Sequence, residues 1–104
     1  MEIVVRCKAD SRYSEEIVPD SLELVSESKG DKGIDGELLV FIYKLVIDVT
    51  TLGANVAAIA SFIIMIKQEL KADVSVGNSV IDKTDSEEQV SSKIVSEANK
   101  EIEE

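Results

Sequence analysis

Residues 49–66, VTTLGANVAAIASFIIMI, form a run of 18 consecutive uncharged positions, most of them apolar. A run of this kind must be buried in a core, covered by a partner or dissolved in lipid. A spanning helix needs about 20 apolar residues, so length alone permits insertion. Three features oppose it. Gly53 reads as a helix terminator, which leaves a shorter stretch of core-helix length after it. Lys44 and Asp48 lie just upstream, where lipid would strip their hydration. Thr50, Thr51, Asn55 and Ser61 dilute the apolar character. The expected structure is a central helix from about 54 to 70, buried on most sides, with Val56, Ile59, Ile63, Ile66 and Leu70 in one stripe. Ala54, Ala58 and Ser61 form a small-residue face that would let another backbone approach closely. Lys67 and Lys71 complement the helix dipole at its C-terminal end.

Upstream, MEIVVRCK reads as a strand with Ile3, Val5 and Cys7 on one face; Val4 implies partial cover on the other. A connector follows, with a helical turn expected near 14–18 and stopped by Pro19. SLELVSES reads as a second strand. KGDKGIDG, with glycines at 30, 33 and 36, reads as a flexible loop over 31–36. As a phosphate cradle it would place Asp31, Asp35 and Glu37 against the phosphate; as a calcium loop it lacks the closing glutamate, since Ile42 occupies that position. In segment 37–52, Leu38, Phe41, Ile42, Leu45 and Val49 follow helical spacing, and a helix is expected there.

Downstream, DVSV and SVID flank Gly77-Asn78, the pattern of a two-residue hairpin turn. The remainder reads as an amphipathic helix. Thr84 and Glu87 have capping-box spacing, and Val90, Ile94, Ala98 and Ile102 make a narrow apolar stripe. Glutamates crowd its end, so residues 100–104 are expected to fray.

The 104 residues carry 21 acids against 11 bases, a formal charge of −10. The acids sit at the two ends: ten against five bases in 1–37, eight against three in 82–104, and three against three between. Nucleic-acid affinity comes mainly from lysine and arginine, so direct nucleic-acid binding is disfavoured, while a basic protein partner, or mimicry of nucleic acid, is compatible. Net charge of this size also keeps a small domain soluble. The chain has no histidine and one cysteine, Cys7. That excludes histidine-based triads and metal sites, a four-ligand zinc site and an intrachain disulfide. Cys7, in a strand with no base to activate it, reads as structural and fits a reducing cytoplasm. No secretory pattern opens the sequence. The acids lie mostly in polar segments, without the burial that tunes a catalytic carboxylate. The chain is therefore expected to be a cytoplasmic non-enzyme with no cofactor.

The segment from Gly36 onward resembles the effector-associated constant component domains of bacterial conflict systems. The resemblance rests on Gly36, Gly53 with Ala54, ADVSV at 72–76, Gly77 and the helix from Ser86, about two-thirds of the chain. It implies a non-catalytic adaptor that couples a sensor or NTPase to an effector.

These readings combine into a single α+β domain over 1–104: a sheet of about four strands, including the hairpin at Gly77-Asn78, packed on two apolar central helices and a C-terminal amphipathic helix. The leading functional expectation is a protein-interaction adaptor whose partner is an effector, an NTPase or a basic protein, with Phe41, Tyr43 and Phe62 as anchors; each of these also fits core packing. Homo-oligomerisation through the apolar centre is compatible with it. The alternative is an acidic inhibitor that presents Glu87, Glu88, Glu97 and Glu101 as a comb of phosphate-like charges. A membrane-active helical hairpin is a third class.

Overall fold

A computed structural model of the chain describes residues 1–8, 15–29, 38–46 and 49–102. Five strands form one antiparallel sheet: β1 (Glu2–Lys8), β2 (Leu22–Lys29), β3 (Leu38–Leu45), β4 (Asp73–Val76) and β5 (Ser79–Val80), in the order β2-β3-β1-β4-β5. Two α-helices, α1 (Val49–Glu69) and α2 (Glu87–Ile102), and a short 3-10 turn over Glu15–Ile17 make up the other regular elements among the described residues. The expected loop at 31–36 lies outside the described residues, as do positions 103 and 104.

The first strand ends up central. β1 pairs with β3 on one side and β4 on the other, which aligns two cross-sheet rows, Tyr43–Ile3–Val76 and Phe41–Val5–Val74. Every member of these rows is buried. α1 adds Leu52, Ile59, Ala60, Phe62, Ile63 and Ile66 to the same core, and α2 adds Val90, Ile94 and Ala98. On the opposite sheet face, Val4 and Ile42 are only half-buried and Arg6 and Lys8 are exposed, so the face is partly wet.

The segment expected to be the first of two central helices is instead strand β3. Its apolar residues occupy both parities: Phe41 and Tyr43 fill the core, while Val40 and Ile42 half-cover the other face. A strand apolar on both faces also satisfies a helical template, and the pairing of β3 between β1 and β2 decides the outcome. One central helix remains, longer than expected and starting at Val49. Gly53 lies inside it, exposed, with nothing within 4 Å of where a Cβ would stand. Packing of the large residues overrides the glycine's poor propensity. Gly53→Ala is accordingly expected to stabilise the protein by about 1 kcal/mol, visible as a rise in thermal midpoint. A fall in midpoint would mean that α1 does not run unbroken through this position.

α1 ends where Lys71 adopts a left-handed conformation (φ 54°) and the Ala72 N–H reaches back to the Ile66 carbonyl at 3.2 Å. The β4–β5 hairpin turns at Gly77 (φ 57°); Asn78 keeps negative φ, so the turn has the form with glycine first. The cap of α2 lies two residues later than expected. Ser86, not Thr84, caps the helix: its Oγ accepts from the Gln89 N–H at 3.2 Å, and Gln89 Oε1 accepts from the Ser86 N–H at 2.7 Å.

A candidate interaction surface beside the β2 edge

β2 is an edge strand. It pairs with β3 through Leu22–Leu45, Glu23–Lys44 and Leu24–Tyr43, then skips Val25 in a bulge and resumes at Ser26–Ile42. The bulge leaves Val25 more than half exposed. Just before β2, the chain crosses from the 3-10 turn through Val18, Pro19 and Asp20, with the Leu22 N–H bonded to the Pro19 carbonyl at 3.0 Å. This crossing is a ridge between two open depressions. The first, about 470 Å³, is lined by Leu22, Leu24, Tyr43 and Val46. The second, about 460 Å³, is lined by Ile17, Ala58, Ser61, Phe62 and Met65. Val18, Pro19 and Asp20 line both.

Six large apolar side chains are exposed among the described residues, and four of them, Ile17, Leu24, Val25 and Val46, lie on β2 or around this ridge. The charged residues lining the two depressions are all acidic: Glu16, Asp20 and Glu23. Ser21, next to the ridge, is buried, and its Oγ has no hydrogen-bond partner among the described residues.

The three aromatic anchors expected from the sequence are all buried in the core. They cannot protrude into a partner. Tyr43 and Phe62 nevertheless line the two depressions, one each, and touch edge to face with centroids 6.2 Å apart. Phe41 lines neither.

The acidic comb is also broken. Glu87 and Glu88 are exposed on α2, with Glu87 Oε1 3.5 Å from the Ser61 hydroxyl. The Glu101 side chain lies outside the described residues. Glu97 is 4% exposed. It accepts from the Ser79 hydroxyl at 2.7 Å and from Lys100 at 3.2 Å, which fastens α2 to the hairpin. These bonds, Ser79 first, together with the Asn78 backbone, hold its carboxyl below the usual glutamate range despite burial. Asp85 is lowered for a similar reason: Lys93 donates to it at 2.6 Å, and the Asp82 N–H at 2.9 Å.

Because both carboxylates titrate lower in the folded chain, the stability they contribute is full above the ordinary values of 4.5 and 3.8 and is lost as pH falls through the folded values. The thermal midpoint is expected to fall on the acid side of pH 4.5. Glu97→Gln should lower the midpoint at pH 7 and flatten that acid limb. An unchanged acid limb in Glu97→Gln would assign it to other groups.

Among the described residues no three acidic or cysteine side chains converge to hold a metal ion. α1 is long and apolar enough to cross a membrane by length and composition, yet its largest apolar side chains point into the core and its exposed positions, Gly53, Ala54, Ala57, Ala58, Ser61, Gln68 and Glu69, are small or polar. The ridge was not foreseen as a site. Its signal in the sequence is the apolar triplet Ile17-Val18-Pro19 inside an otherwise polar connector. Comparison of the chain with family models, curated proteins and solved structures finds no significant match.

Proposed function

We propose that the chain is a non-catalytic protein-interaction domain, an adaptor that couples a sensor or NTPase to an effector in a bacterial or phage conflict system. The conflict-system context comes from the resemblance of residues 36–102 to effector-associated constant component domains. The interaction role is carried by one observation: of the six large apolar side chains exposed among the described residues, three, Ile17, Leu24 and Val46, line the two depressions that share the 18–20 ridge. Singly scattered apolar residues need no explanation, but a cluster rimmed by charge marks a contact surface. The domain acts as a receptor, with Tyr43 and Phe62 as floor, and the partner supplies the protruding side chains.

The test is a pull-down from host extract with the tagged chain, washed at low and high salt. Capture of one partner that survives high salt is expected, because apolar burial is not screened. Capture of a basic nucleic-acid-binding protein, lost completely at high salt, would overturn the adaptor reading in favour of the acidic inhibitor.

A further inference from the structure

We propose that the two depressions beside the 18–20 ridge form one docking groove, and that its occupant is a partner polypeptide segment carrying two apolar side chains with lysine or arginine beside them. This rests on the adaptor reading above and gives it a surface and a ligand chemistry. Each depression falls within the size range of ligand sites, about 300–1,000 Å³, but both are open, which suits side chains of a polypeptide laid across them rather than an enclosed small molecule.

The ridge is shared, so a ligand that fills both depressions must straddle it, one side chain toward Tyr43 and Leu24 and one toward Phe62 and Met65. Asp20 lies on the ridge itself and is exposed, with Glu16 and Glu23 on the outer walls and no basic residue lining either depression. Glu23 is paired with Lys44 at 3.6 Å, so Asp20 leads the acidic rim, and apolar floors beneath it select against anionic ligands. A second copy is disfavoured on the same ground, because it brings another charge of −10. The β2 edge runs beside the first depression. Its bulge at Val25 and its Glu27 and Lys29 discourage indiscriminate strand pairing, which leaves recognition to the side chains in the groove.

The experiment is a selection of short random peptides displayed against the purified 104-residue chain, followed by titration of the enriched peptides onto variants. Enriched peptides are expected to pair two apolar residues with lysine or arginine. Asp20→Lys and Ala58→Glu, both at exposed positions, should each weaken binding at least about tenfold. Val80→Ser, on the far edge of the sheet, should leave binding unchanged, and circular dichroism verifies that each variant is folded. Absence of enrichment, enrichment without basic residues, or binding unmoved by Asp20→Lys and Ala58→Glu would each overturn the groove. A host partner still captured by both folded variants would sink the groove while leaving the adaptor reading standing.

Discussion

Truncating Ile63 to alanine is expected to cost about 2–5 kcal/mol, the range found when large aliphatic side chains are removed from packed cores. Ile63 is fully buried, one helical turn from Ile59 and three residues before Ile66, which are equally buried. It shares its cluster with the β1, β3 and β4 rows and with Val90 and Ile94 of α2. Neighbours drawn from a sheet and a second helix cannot all relax into the void, which places the expectation in the upper half of that range. Domains of this size have only about 5–15 kcal/mol of total stability. A midpoint drop of roughly 4–8 °C per kcal/mol follows, so the variant should begin to unfold near ordinary growth temperatures. Urea denaturation provides the measurement: the midpoint should shift while the slope stays constant. A loss below about 1 kcal/mol would mean that α1 is not the centre of the core.

Gly77→Val is expected to be comparably damaging for a different reason. The φ of 57° lies in the left-handed region, which costs an ordinary L-residue about 1–2 kcal/mol and a β-branched one more. The space is also taken. A Cβ at Gly77 would stand 2.7 Å from Glu97 Oε2 and 3.2 Å from the Glu97 Cβ. The carboxylate can swing aside, but only by abandoning Ser79; the Cβ is fixed to α2. The substitution therefore strains the turn and separates the hairpin from the helix at once. A double-mutant cycle separates the two effects. If the contact is real, Gly77→Ala and Glu97→Ala should be strongly non-additive, the pair losing less than the sum of the singles. Additive losses would leave the backbone as the sole cause.

How far the sequence disclosed this molecule depends on the segment. β1 alternates apart from Val4 and is found as read, with Ile3, Val5 and Cys7 inward and Val4 half-buried on the other face. The Gly77-Asn78 turn and the α2 stripe of Val90, Ile94 and Ala98 also match, because an edge hairpin and a surface helix each have one wet face that leaves its period visible. β3 has no fully wet face: Leu38, Val40 and Ile42 are half-buried on its second surface and only Lys44 there is exposed. With neighbours on both sides and partial cover on its second surface, it erased the alternation that would have distinguished it from a helix. Gly53 misled in the same direction, since a local stop signal was outweighed by the burial of Leu52, Ile59 and Ile63 around it. The surface proved harder to read than the core. Phe41, Tyr43 and Phe62 are the large rings that a docking site favours and also those a small core needs most, and composition does not tell the two uses apart. The ridge at 18–20 becomes legible only when β2, β3 and α1 come together around it.

The central position of β1 has a consequence for how the chain is made. Its partners lie far away in sequence: β3 begins 30 residues after β1 ends, and β4 only at Asp73. Pairings so distant in sequence raise contact order and slow folding. During synthesis, the apolar face of Ile3 and Val5 lacks its β3 neighbour until Leu45 has emerged and its β4 neighbour until Val76 has. A chain cut off before β4 would leave one edge of β1 unpaired and present a sticky, half-dressed sheet centre to the chaperones of the cell.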